Sequence, residues 1–214
     1  MRLMVMMVVL AGLAGCAGMA PQPGNDSELA DVRAKIALGR CDEGLVTGLR
    51  NQNMPELDQE AAYVCLQRGE LEAVEQLLAD YSKRHRDPPH PDYSAYLLAL
   101  TQQLRFELTE DDTARLREGR AAHARYAEFA RTYPDSEYRT EVGPRLNTLL
   151  DEMASAELRL AQAAANAGDR STAQARMQYI MRHYPLSGAA REAGNWLEAR
   201  TGDEDENVPP GTAW

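Results

Sequence analysis

Gly168-Asp169-Arg170-Ser171-Thr172-Ala173-Gln174-Ala175-Arg176-Met177-Gln178-Tyr179-Ile180-Met181-Arg182-His183-Tyr184-Pro185-Leu186-Ser187 reads as one helix between two punctuation marks. The glycine closes a tight turn and Asp169 opens the helix. Ala173 follows five residues later, where two helices must approach closely. At the far end Arg182 sits where a cation favours the helix C-terminus, Tyr184 plugs between helices, Pro185 stops the turn and Ser187 caps the next helix. Both signals recur. Arg131-Thr132-Tyr133-Pro134-Asp135-Ser136 repeats the stop, and Gly39 and Gly69 repeat the turn, with Gly44 and Val74 five residues on. A chain that repeats a turn, a close approach and a stop builds stacked helix pairs.

Outward from that stretch, apolar residues recur at three and four and no run alternates as a strand would. Ser27 is placed to cap a first helix ending near Gly39, and Asp42 to start a second that stops around Asn53, before Pro55. A third and fourth flank Gly69. Pro88, Pro89 and Pro91 force a loop, after which Pro91 or Asp92 opens a helix through Leu108. The polar run Thr109 to Thr113 caps a long helix to Tyr133. Ser136 is expected to cap the next, which bends at Gly143-Pro144 before Ala167, and the last pair starts near Asp169 and Ser187. The expected fold is all-α, a helical solenoid of antiparallel helix pairs over residues 26–200. Its Gly168, Ala173 and Pro185 frame looks like the tetratricopeptide pattern, in which neither helix of a pair buries its apolar face alone.

The amino terminus supplies an address. Arg2, an apolar run from Leu3 to Leu10 and small residues before Cys16 describe a secretory leader over residues 1–15. Leu13-Ala14-Gly15-Cys16 resembles a bacterial lipobox, in which the cysteine thiol takes a diacylglyceryl group and becomes residue one of the mature chain. At about 0.8 kcal/mol per buried methylene, two or three acyl chains hold a protein on a membrane without a spanning helix. Ala17 follows where an aspartate signals inner-membrane retention, so by resemblance to that sorting rule the expected location is the outer membrane, facing the periplasm. The lipid on Cys16 is the only attached group expected. Residues 16–25, small and Pro-bearing, read as a flexible tether. Residues 201–214, with Asp203-Glu204-Asp205-Glu206 and Pro209-Pro210, read as a disordered acidic tail.

In an oxidising compartment the two remaining cysteines, Cys41 and Cys65, stand either as a disulfide or as two small buried residues in helix packing. The formal charge of −10 argues against nucleic acid and anionic lipid surfaces as partners. No nucleophile elbow, phosphate-cradling glycine loop, His-Glu-x-x-His or paired CxxC is present, so no catalytic chemistry is expected. The nearest metal-like cluster, His85, Asp87, His90 and Asp92, lies in a Pro-rich connector and reads as solvated polar residues.

From His90 to Arg200 the chain resembles the BamD family, tetratricopeptide-like lipoproteins of the outer-membrane β-barrel assembly machinery. His90-Pro91-Asp92-Tyr93-Ser94-Ala95-Tyr96 looks like the segment opening the family's third repeat. Tyr133-Pro134-Asp135-Ser136-Glu137-Tyr138 is similar to its Tyr-Pro-x-Ser-x-Tyr. Between Glu157 and Pro185, the residues Gly168, Arg176, Arg182, Tyr184 and Pro185 fall in the family's order and spacing. The chain departs from the pattern between Arg50 and Gln59, which lacks a Tyr-Pro stop. The resemblance implies a non-catalytic scaffold that passes unfolded outer-membrane protein precursors to a BamA-like β-barrel subunit, beside other assembly lipoproteins. It also implies that Arg176 faces that subunit and pairs with a carboxylate there; read alone, Arg176 is a solvated helix arginine. Tyr63, Tyr93 and Tyr96 are candidates to line a surface for an extended peptide with an aromatic end, or to be core between helices. The shortened front repeats leave a second reading, an adaptor lipoprotein for cell-wall enzymes or surface-polymer export.

Overall fold

The computed structural model describes residues 23–206. The leader, Cys16 and residues 207–214 lie outside the described residues. Ten helices follow in order: α1 (Pro23–Ala37), α2 (Glu43–Gln52), α3 (Pro55–Gln67), α4 (Leu71–Leu78), α5 (Tyr81–Arg84), α6 (Pro91–Leu108), α7 (Asp112–Thr132), α8 (Arg139–Asn166), α9 (Arg170–His183) and α10 (Gly188–Glu206). Among the described residues there is no strand, and no helix is long and apolar enough to cross a membrane. The pairs are α1 with α2, α3 with α4, α6 with α7 and α8 with α9, and each stacks on the next, with α10 closing against α8 and α9. This is the tetratricopeptide-like solenoid.

One turn is used three times. Gly39, Gly69 and Gly168 have φ of +66°, +76° and +82°, the left-handed region open to glycine. In each turn the glycine N–H bonds back to a carbonyl three residues earlier, and the following N–H reaches one five residues earlier: Arg40 to Lys35, Glu70 to Cys65 and Asp169 to Ala164. Asp42 and Asp169 then cap α2 and α9, accepting from the Leu45 and Thr172 amides at 2.9 and 3.0 Å. The α6–α7 turn has no glycine, and Asp111 caps α7 by accepting from the Ala114 amide at 2.8 Å. In α2 it is Gly48, not the exposed Gly44, that sits at the close approach, where a Cβ would lie 2.8 Å from Val32.

Three boundaries differ from the sequence reading. α1 begins at Pro23, inside the expected tether, because proline is well suited to a first helical turn and Asp26 complements the helix N-terminus. Ser27 is therefore inside the helix. α10 continues to Glu206, so the start of the expected acidic tail is helical: residues 201–206 hold no proline to stop the helix. Ser136 does not cap α8: its hydroxyl donates to Asp92 at 2.7 Å, tying the α7–α8 corner to α6. Ser187, its counterpart, does cap, accepting from the Ala190 amide at 3.0 Å.

Two apolar cores result. The amino-terminal one gathers Val32, Leu45, Leu49, Ala61, Val74, Leu77 and Tyr81; the carboxy-terminal one gathers Phe106, Tyr126, Phe129, Leu149, Met153, Met177 and Ile180. Helix α6 joins them, giving Leu97 to the first and Tyr96, Ala99 and Phe106 to the second. Cys41 and Cys65 are bonded, with Cα atoms 5.5 Å apart, so the α1–α2 turn is fixed to α3. The Arg68 Nε adds a bond to the Gly39 carbonyl at 3.1 Å in the same place.

Candidate partner-docking site

Arg176 projects from the middle of α9 toward α8, where it meets Glu157. Its Nη1 donates to Glu157 Oε2 at 2.6 Å, and Arg120 from α7 donates through Nη2 to the other carboxylate oxygen at 3.2 Å. The carboxylate is buried, with 4% of its side chain exposed, whereas Arg176 is 33% and Arg120 56% exposed. Arg176 is thus neither solvated nor simply waiting for a partner. It is held in place by Glu157 and keeps further N–H groups at the surface, since a guanidinium carries five donors. Glu157 reaches this place because it lies on the apolar stripe of α8 with Met153, Ala154, Leu158 and Ala161. That position is the signal the sequence carried for it: one acid on a face otherwise made of small and aliphatic residues.

The groove around this triad runs along α9 over α8. Tyr179 packs at a tilt against His183 with centroids 4.2 Å apart and meets Tyr184 edge-on at 6.0 Å. Burial raises the Tyr184 hydroxyl well above the ordinary tyrosine value, so it stays protonated. Beyond it Pro185 and Leu186 form the rim, with Leu186 96% exposed.

The three tyrosines do not act as one set. Tyr63 on α3 is exposed, its hydroxyl accepting from Gln67 at 2.8 Å. Tyr93 on α6 is half-buried and packs at a tilt against Tyr138 at 5.3 Å; burial raises its hydroxyl, with Tyr138 and then Tyr63 adding to the effect. Tyr96 is core. It is 4% exposed, stacks on Tyr138 at 5.0 Å, donates to Glu141 at 2.6 Å and accepts from Arg145 Nε at 3.0 Å. It lines no surface, because one helical turn after Tyr93 its ring points between α7 and α8. Tyr138, which the sequence reading passed over as a family match only, is the ring that joins Tyr93 to Tyr96.

The residues of the Pro-rich connector go to separate partners. His85 Nε2 pairs with the fully buried Asp58 at 2.8 Å, and Arg84 Nη2 reaches the same oxygen at 3.0 Å. Desolvation raises the Asp58 carboxyl, opposed by the His85 bond and by Arg84. Asp92 holds Ser136, and the His90 carbonyl accepts from Gln59 at 2.9 Å. Among the described residues no three such side chains are grouped to hold a metal ion.

Comparison with curated proteins gives no match. Among family models, residues 49–200 match the one named YfiO and described as outer membrane lipoprotein. The match begins late in α2 and runs to the middle of α10, so it takes in the Arg120, Glu157 and Arg176 triad and leaves out α1. It covers well over half of the chain, and the chain therefore belongs to the YfiO, or BamD, family of outer membrane lipoproteins.

Proposed function

We propose that this protein is a non-catalytic scaffold that helps assemble and insert β-barrel outer-membrane proteins. In this reading Cys16 carries the N-acyl diacylglyceryl lipid, the solenoid faces the periplasm, and α9 docks on a BamA-like β-barrel subunit beside other assembly lipoproteins. Unfolded β-barrel precursors meet the amino-terminal helices, where Tyr63 and Tyr93 offer aromatic surface on adjoining α3 and α6. The observation that carries the reading is the family match across residues 49–200, whose members are outer membrane lipoproteins of a scaffold type. The geometry of Arg176 supports it. A guanidinium fixed by a buried acid and one-third exposed is preorganised to accept a second carboxylate without losing much side-chain freedom.

The test is a carboxy-terminal tag on the full protein, outer membranes solubilised in mild detergent, and identification of what co-purifies. Recovery of a BamA-like subunit with wild type and its loss with Arg176→Glu is the expected result. A cell-wall enzyme or polymer-export component in its place, unaffected by the variant, would make the protein an adaptor on the same fold.

A further inference from the structure

We propose that one edge of the solenoid rests on the anionic phospholipid surface to which the chain is anchored. The second helices of the pairs, among them α2, α7 and α9, all cross the molecule in the same direction, because each pair is antiparallel and stacks on the next. These three open on aspartate caps, Asp42, Asp111 and Asp169, and carry arginine in the last turn, Arg50, Arg131 and Arg182. That is the order in which side-chain charge complements a helix dipole. Laid side by side, the helices gather acids on the edge of the glycine turns and bases on the edge of the proline stops. The acidic edge also holds Glu70, Glu110 and the end of α10, Asp203 to Glu206. On the basic edge several acids are already engaged: Asp58 by Arg84, Asp80 by Arg50, Asp92 by Ser136 and Glu141 by Arg145.

The formal charge of −10, taken as one number, speaks against such a surface; its placement does not. Helices α7 and α9, of 21 and 14 residues, hold the two edges about 30 and 20 Å apart at ~1.5 Å per residue. The Debye length at physiological salt is ~8 Å, so the acidic edge is screened from a surface that touches the basic one. Asp26 and Glu56 stand at the amino-terminal half of the basic edge, which places the contact on the α7–α8 and α9–α10 corners. Arg131 and Arg182 are exposed there, and neither is ion-paired with another described residue. Asp135 and Glu137 oppose Arg131, whereas the α9–α10 corner adds Arg191 and no acid. At the tip of that corner Leu186 is 96% exposed. An apolar side chain flanked by arginines matches a bilayer interface: the leucine enters beneath the headgroups and the guanidiniums stay among the phosphates. The tether reaches the same edge. α1 is the first helix of its pair, so Pro23 lies on the basic edge, and the seven residues from Cys16 to Pro23 span at most about 25 Å. The proposal rests on the reading of Cys16 as lipidated, not on which protein docks on α9.

The experiment reconstitutes the full lipidated protein in vesicles of phosphatidylethanolamine with one quarter phosphatidylglycerol and a trace of lipid bearing a nitroxide on its headgroup. A bimane label is placed on Leu186→Cys or, on the acidic edge, on Leu108→Cys, a position 62% exposed at the end of α6. Cys41 and Cys65 are bonded and do not take the label. The nitroxide is expected to quench the Leu186 site at least threefold more than the Leu108 site. The double variant Arg131→Gln/Arg182→Gln changes only exposed side chains and so spares the fold. That variant, or exchange of phosphatidylglycerol for phosphatidylcholine, should lower the Leu186 quenching at least twofold. Equal quenching at the two sites, none at either, or indifference to both changes would overturn the proposal. So would quenching at Leu186 that appears only when the protein is crowded on the vesicle, the mark of a second copy on this edge. The mass of the purified chain reports the lipid independently. An unlipidated chain removes the anchor and this proposal together, whereas a lipidated chain with an unquenched Leu186 site removes this proposal alone.

Discussion

A carboxylate as buried as that of Glu157 is costly to keep without donors around it, and Arg120 and Arg176 supply them from two helices. The two sides of this contact should not be equal. The double variant Arg120→Ala/Arg176→Ala leaves a buried acid alone and is expected to lower stability by about 3 kcal/mol. Glu157→Gln releases two arginines that already reach solvent, and should cost only about 1 kcal/mol. Urea unfolding of the three proteins reads the order, and a larger loss for Glu157→Gln would contradict it. A second residue-scale expectation concerns acid. The Tyr96 hydroxyl, with Arg145, holds the Glu141 carboxyl below the ordinary glutamate value of 4.5. A lowered value means that the contribution is complete above pH 4.5 and fades as pH falls through the folded-state value. Tyr96→Phe should therefore cost more stability at pH 6 than at pH 3.5. Equal costs at both would show that the hydroxyl bond to Glu141 does not favour the ionised form.

At the scale of the element, the repeated glycine turn is the device that sets one helix back on another. A Cβ at Gly168 would touch nothing within 4 Å, so Gly168→Ala isolates the backbone cost of a φ of +82°. That cost is expected at about 1 kcal/mol. Gly119 is the contrasting case: its φ is ordinary, but a Cβ there would lie 2.8 Å from Met153 Sδ and 3.0 Å from Phe106, so Gly119→Ala strains packing across α6, α7 and α8 instead. Thermal unfolding of both variants, with Gly168→Ala unchanged, would remove the turn argument. These turns were legible in the sequence because each signal acts within a few residues: Gly39, Gly69, Gly168, Asp42 and Asp169 do locally what their chemistry predicts. Ser136 was misread because a long-range partner, Asp92, competes for its hydroxyl and no local pattern records that. Tyr96 went to the core for the same kind of reason, since one turn separates it from Tyr93 and only the packing of α7 and α8 decides which ring is covered. Glu157 and Asp58 could have been found, as acids standing on apolar stripes.

For the whole molecule, the solenoid joins two cores through α6, and the first helix pair is tied on from outside the family-matched segment. The Cys41 to Cys65 link closes a loop across 24 positions of sequence, which in the loop-entropy account contributes about 3 kcal/mol. Reduction is expected to speed hydrogen exchange in α1 and α2 while α8 and α9 keep their protection, because each helix pair contacts chiefly its neighbours. Uniform loss of protection would contradict that, and two labelled thiols on the unreduced protein would remove the bridge. An anchored solenoid with an open groove and a preorganised arginine suits holding one protein against another. The direct test of that claim is depletion of the protein in its own cells, followed by the amount of folded, heat-modifiable β-barrel protein in the outer membrane. The account predicts that folded barrels fall and are restored by wild type but poorly by Arg176→Glu; barrels at their normal level, with altered cell wall or surface polymer instead, would contradict it.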